Sequence, residues 1–240
     1  MTGEPSDVVA EEAKRFAKTP EFREKLVATF ADPHIFPPED RPLSIYMAGS
    51  PGAGKTEFSK QFIALFEEKF STKIVRIDAD EIRALLPQYS GENSWQVQGA
   101  AAIGVEKLYD SVLRNRQHVI LDGTLSRYEK AKDNIRRSID KGRDQVIFFL
   151  YQEPNVAWEF TQKREKVEGR HIPRDAFIES FVSSRHNADR IKRELGASVQ
   201  LNVVIKNYLN DSQRIIVDVD TIDTHIPVCY TREELEKIVV

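Results

Sequence analysis

Cysteine is nearly missing: Cys229 is the single one in 240 residues. It cannot form an internal disulfide, and one thiol is too few for a structural zinc site. A reducing compartment follows, and with it the expectation of a cytoplasmic protein. Long apolar runs are missing too. None approaches the roughly 20 residues that cross a bilayer, and the polar start from Met1 to Asp7 lacks the layout of a signal peptide. Nor does one charge dominate. Lys and Arg number 35 against 38 Asp and Glu, a net charge of −3, which argues against nucleic acid or an anionic membrane as partner. The five histidines are scattered without metal-ligand spacing, and no segment repeats.

What remains suits a folded, soluble chain: 40% hydrophobic, 9% aromatic and 30% charged residues. Residues 7–30 read as two short amphipathic helices, with Pro20 suited to the start of the second. Residues 32–42 hold four of the eleven prolines and read as an extended connector. Beyond it the pattern changes. Strands are predicted at 43–48, 73–77, 118–121, 145–151, 202–206 and 214–219. Helices are predicted at about 55–70, 80–86, 93–116, 128–141, 154–167 and 174–195. Short apolar runs without alternation suit strands buried on both faces of a parallel sheet. Alternating strands and helices then imply a doubly wound, mostly parallel α/β sheet flanked by helices. Tyr208 to Ser212 divides the last two strands as a hairpin loop, so they are expected to form an antiparallel edge. The expected division is residues 1–42 as a helical extension with its connector, and 43–240 as one α/β domain.

Gly49-Ser50-Pro51-Gly52-Ala53-Gly54-Lys55-Thr56 fits G-x-x-x-x-G-K-[ST] at every fixed position. Glycines let the backbone curl so that successive N–H groups meet phosphate oxygens. The following helix adds the positive end of its dipole. Lys55 would neutralise the β- and γ-phosphates of ATP, and the Thr56 hydroxyl would ligate Mg²⁺. An ordinary Gly-rich turn is the weaker reading, because the motif follows an apolar strand and opens an amphipathic helix. The guanine-reading N/T-K-x-D motif of a GTP switch is absent. The third strand ends in Asp122-Gly123-Thr124, without the Asp-Glu pair of a mechanical ATPase. These absences favour a small-molecule kinase.

Further carboxylates stand at strand ends, where open α/β sheets bind ligands. Asp78 and Asp80 follow the second strand, and either could accept a proton from an attacking hydroxyl; Asp80 could equally cap the next helix. Asp122 could orient Mg²⁺ through water, and Thr124 could touch a substrate or merely open a loop. The basic run at 160–174, with Arg164 and Arg170, reads either as a solvated helix face or as a lid whose arginine forks meet transferring phosphate.

In this order the pieces resemble the zeta toxin family of bacterial toxin–antitoxin systems. The matching residues are Gly49 to Thr56, Ile77-Asp78-Ala79-Asp80, Asp122-Gly123-Thr124, Arg164, and Arg170-His171-Ile172-Pro173. The similarity runs from about residue 43 to at least 195. It implies a P-loop kinase that uses ATP and Mg²⁺ to phosphorylate the 3′-hydroxyl of the sugar in UDP-N-acetylglucosamine, poisoning cell-wall synthesis. It also implies a small epsilon-type antitoxin as partner. Residue by residue, Asp80 matches the general base, Arg164 and Arg170 the two γ-phosphate arginines, and Glu106 and Thr124 the grip on the sugar nucleotide. Asp122 replaces a glutamate, Leu86-Pro87 a His-Pro pair, and Leu125-Ser126-Arg127 a Gly-Arg pair. These departures lie on the substrate side. They leave open a kinase of another nucleotide sugar, an antibiotic or a nucleic-acid end; a nucleotide-binding regulator is the reading from another class.

Overall fold

A computed structural model describes residues 5–168, 171–207 and 212–240. Six strands form one sheet: β1 (Leu43–Ala48), β2 (Ile74–Asp78), β3 (His118–Asp122), β4 (Asp144–Tyr151), β5 (Gln200–Asn207) and β6 (Ser212–Ile216). Their order is β2-β3-β1-β4-β5-β6. The first five are parallel and β6 pairs antiparallel with β5, so the expected antiparallel edge is present. The loop between β5 and β6, expected at Tyr208 to Ser212, lies largely outside the described residues.

Residue alternation along β1 shows why the sheet is apolar on both faces. Ile45 and Met47 pack with Phe58, Phe148 and Val204 beneath α3 (Lys55–Phe70). Tyr46 and Ala48 point the other way, into the larger core. That core gathers α1 (Pro5–Ala17), α2 (Pro20–Phe30), α4 (Ala79–Arg83), α5 (Ser94–Arg114), α6 (Tyr128–Ile139) and part of α8 (Arg174–Leu195). Helix α2 starts as its sequence dictates: Pro20 stands in the first turn, and the Thr19 hydroxyl accepts from Phe22 N at 3.2 Å. The connector at 32–42 is less extended than expected, because Ile35 N and Phe36 N both bond back to Asp32 O in a turn.

Gly104 of α5 governs how close the neighbouring helices come. A Cβ there would lie 2.6 Å from Ile82 Cγ2 on α4 and 3.1 Å from the Phe22 ring. Only a glycine lets α4 sit this low on α5, and α4 carries Asp80. At the far end of the chain, α9 (Arg232–Ile238) begins with a capping box of Thr231 and Glu234. Its Leu235, with Val239 just after the helix, buries against Trp158 of α7 (Pro154–Glu168) and Phe177 of α8. Tyr230 Oη donates to Glu153 at 2.8 Å, tying this strap to the start of α7. Among the described residues no helix is long and apolar enough to cross a membrane.

Candidate active site

The central strand β1 ends between β3 and β4, and its register sets Tyr46 beside Leu121. Asp78 and Asp122 pair directly at the ends of β2 and β3. The strand ends therefore bring the carboxylates beside the Gly49–Thr56 loop, at the reversal in strand order where such sheets bind ligands.

The loop is formed for close contact. Gly52 has φ 72°, and a Cβ there would lie 1.9 Å from the carbonyl oxygen of Ala157 on α7. Helix α3 opens with Gly54 in the left-handed region and no side-chain cap. Its first N–H groups are thus left to a ligand, and an anion suits them. Lys55 Nζ donates to Ser50 O at 2.6 Å and Gly49 O at 3.0 Å, which places its charge over the loop. Lys206 Nζ of β5 donates to Gly54 O at 3.0 Å from the other side.

Gly52, Gly54 and Lys55 line a cavity of about 430 Å³ together with Thr56, Asp78, Asp80, Asp122, Thr124 and Arg164. Arg164 comes from α7, the helix braced by the α9 strap. The cavity thus gathers the loop, the aspartates at and just beyond the strand ends, Thr124 and Arg164 from the basic run. Arg170 lies outside the described residues.

The three aspartates have different surroundings. Asp78 caps α4, its Oδ1 accepting Asp80 N at 2.8 Å, so capping falls to Asp78 and leaves the Asp80 side chain to other contacts. Burial is the largest influence on Asp78 and raises its pKa, against the lowering effects of the Asp80 N–H and Arg76. Asp122 Oδ2 accepts from Arg76 Nη2 at 2.6 Å and from Ser59 Oγ at 3.1 Å. Burial opposes the charge of Arg76, but Asp122, Asp78 and Glu81 outweigh it and raise its pKa. Asp80, in the first turn of α4, pairs through Oδ1 with Arg83 Nη1 at 2.7 Å.

A second cavity of about 580 Å³ adjoins the first, sharing Gln98, Gly123 and Thr124. Its described lining includes Arg83, Arg127, Lys130 and His171 and no carboxylate. Trp95 stands on its wall with 68% of its surface exposed. Glu106 lines neither cavity. It lies one layer out, 2.6 Å from Lys130 Nζ and 2.9 Å from Arg137 Nη2. Sequence reasoning missed Arg76, Arg83 and Gln98. A charged residue inside the apolar strand Ile74–Asp78 was a signal for Arg76, and the three-residue spacing to Asp80 was one for Arg83; Gln98 gave none.

No curated protein matches the chain. Solved structures share its fold at low identity. A structure from the PezAT chromosomal toxin–antitoxin system of Streptococcus pneumoniae is 18% identical with a TM-score of 0.62, covering 92% of this chain and 86% of that one. The native AvrRxo1-ORF1:-ORF2 complex is 16% identical with a TM-score of 0.60, covering 98% and 71%. The AvrRxo1-ORF1:-ORF2 complex with ATP is also 16% identical, with a TM-score of 0.61 and the same coverage. The zeta toxin family model matches residues 28–220, a span that takes in the whole sheet and the linings of both cavities. The chain belongs to the zeta toxin family.

Proposed function

We propose that the protein is an ATP- and Mg²⁺-dependent kinase that phosphorylates the 3′-hydroxyl of the sugar in UDP-N-acetylglucosamine, acting in the cytoplasm as a toxin against cell-wall synthesis. One observation carries this reading: the phosphate cradle, Asp80 and Arg164 line a single cavity. A cationic cavity opens beside it. In the proposed division of the chain, residues 43–240 form the kinase and 1–42 its helical extension. An epsilon-type antitoxin is the expected protein partner; the neighbouring AvrRxo1-ORF1 structure is itself that of a complex.

The Gly49–Thr56 backbone and Lys55 hold the phosphates of ATP. Magnesium fits the donors present: the Thr56 hydroxyl lines the cavity, and every Asp122 contact above uses Oδ2, which leaves Oδ1 to a water of the metal's shell. Thr56 and Asp122 would hold the ion, which would supply charge neutralisation for the phosphates. Asp80 accepts the proton of the attacking hydroxyl, and Arg164, with Arg170, meets the charge on the transferring group. Thr124 stands where the two cavities meet and orients the acceptor. Arg127 and Lys130 supply charge for a diphosphate, and the Trp95 ring a face for a base.

The test is a screen of nucleotide sugars with Mg-ATP, read by ³¹P NMR and mass spectrometry. The expected product is UDP-N-acetylglucosamine phosphorylated at the sugar 3′-hydroxyl, and none from a folded Lys55→Ala protein. Transfer to a different acceptor would replace the substrate and keep the kinase. ATP binding with no transfer to any acceptor would make the protein a nucleotide-binding regulator.

A further inference from the structure

Asp78 and Asp122 stand side by side at the ends of β2 and β3, and like charges so placed repel unless a cation lies between them. Arg76 precedes Asp78 by two residues and so shares its face of the sheet. Its side chain, 9% exposed, meets both carboxylates. Nη2 donates to Asp78 Oδ2 at 2.5 Å and to Asp122 Oδ2 at 2.6 Å, and Nη1 donates to Glu81 Oε1 at 2.6 Å. Nε donates to Asp122 Oδ2 at 3.1 Å and to Ser59 Oγ of α3 at 3.2 Å. Arg76 lines neither cavity, whereas Asp78 and Asp122 line the nucleotide cavity with Thr56. It therefore acts on that wall from behind.

The guanidinium divides the two aspartates unequally. Asp78 is committed through both oxygens, Oδ1 to the Asp80 N–H and Oδ2 to Arg76. Asp122 meets Arg76 and Ser59 through Oδ2 alone. Take the guanidinium away, and Asp78, Glu81 and Asp122 lose their common counter-charge beside the Thr56 hydroxyl. Hard divalent cations bind such groups of oxygens.

We propose that Arg76 is a positioning residue for the metal: it occupies Asp78 and one oxygen of Asp122, so that the wall holds a divalent cation only together with the phosphates of the nucleotide. This rests on the reading of the site as one for Mg-ATP. Thr56 and a single oxygen of Asp122 are too few ligands for a hard cation on their own, and phosphate oxygens complete the set. The fork geometry matters as much as the charge, because one planar group reaches three carboxylates at once.

The experiment uses Mn²⁺ as the probe and reads its binding from the EPR signal of the free ion, first without nucleotide and then with a non-hydrolysable ATP analogue. Wild type is expected to bind Mn²⁺ weakly alone and tightly with the analogue. In Arg76→Gln the nucleotide-free affinity should rise roughly tenfold, the order set by one uncompensated charge at a partly buried site. Adding Asp122→Asn to Arg76→Gln should bring that affinity back towards the wild-type value. A residue that only supports the fold would lower the melting temperature and leave nucleotide-free Mn²⁺ affinity where it was. An unchanged affinity in folded Arg76→Gln overturns the proposal, and so does a raised affinity that survives Asp122→Asn. Should Arg76→Gln fail to fold, Arg76→Lys keeps the charge without the fork, and its nucleotide-free affinity must still exceed that of the wild type. A wild type that binds neither the analogue nor Mn²⁺ beside it sinks the Mg-ATP reading, and the proposal with it. A wild type that binds both, with Arg76→Gln unchanged from it, sinks the proposal alone.

Discussion

The nucleotide wall of the site is one stretch of chain, Gly49 to Thr56, bent by glycines and closed by the start of α3. The acceptor wall is gathered from afar: Arg83 on α4, Trp95 and Gln98 on α5, Arg127 and Lys130 around the start of α6, His171 beyond α7. The first wall binds through backbone N–H groups that almost any folded copy of the motif presents. The second, in the proposed reading, would bind through side chains whose placement depends on four helices docking correctly. A family can therefore keep its nucleotide while altering its acceptor. Of the sequence departures, Leu125 lines the acceptor cavity, whereas Asp122 lines the nucleotide cavity and Leu86 is buried and lines neither. The expectation that all three lie on the substrate side holds only for Leu125. Variants on each wall test that division.

The largest effect belongs where the walls meet. Asp80→Asn keeps the size of the side chain and leaves the α4 cap intact, because Asp78 provides it. Turnover is expected to fall by roughly 10²–10⁴ with ATP affinity unchanged. Single-turnover transfer with ATP binding measured alongside checks this; wild-type turnover would move the base to Asp78 or Asp122. Next comes Arg164→Lys, which keeps charge but loses the planar fork. A kcat lowered by about 10²–10³ at constant KM for ATP is expected if it acts in the transition state. A change in the KM for ATP alone would make it part of ground-state nucleotide binding.

The same contrast governs what the sequence revealed. Strands β1 to β4 were placed within a residue, because buried parallel strands are unbroken apolar runs. The cradle was legible because its chemistry is local. Helix α4 was expected to reach residue 86 but ends at Arg83, where Leu85 N and Leu86 N bond three residues back ahead of Pro87. Strand β6 was expected to run to 219 but stops at Ile216: Asp218 takes φ 52° and its N–H turns to Asn202 Oδ1 at 2.9 Å. Helix α9 was missed, although Thr231 and Glu234 spell its capping box. The acceptor wall was illegible for a plainer reason. Nothing near Gln98 in sequence says that Arg83 will reach it, and nothing near Asp122 says that Arg76 will neutralise it; both contacts are products of docking.

Glu106 sharpens the comparison by its distance. Resemblance assigned it a direct grip on the sugar nucleotide, yet it contacts Lys130, which itself lines the acceptor cavity. If it acts through that lysine, Glu106→Ala should raise the KM for the acceptor only about three- to fivefold, the worth of a half-exposed ion pair. The KM for ATP should not move. Steady-state kinetics with each substrate varied in turn separates the cases; a direct contact would raise the acceptor KM much further.

The smallest effect comes from the opposite end of the sheet, and it sets the zero for both walls. His118 begins β3, and its Nδ1 accepts Leu43 N at 2.8 Å, which requires that nitrogen to be unprotonated. Burial lowers the pKa of His118, against the raising effect of Glu39. The folded protein therefore binds this proton less readily than the unfolded chain, whose histidine titrates near ~6.5. Stability is fully present above that value and declines as pH falls through it towards the lower folded pKa. His118→Gln should remove this part of the decline in urea-unfolding free energy, measured from pH 8 down to 5, while kcat and both KM values keep their wild-type pH dependence. A matching change in the kinetic profile would show that the far end of the sheet communicates with the site, and the two walls could no longer be varied independently of the scaffold beneath them.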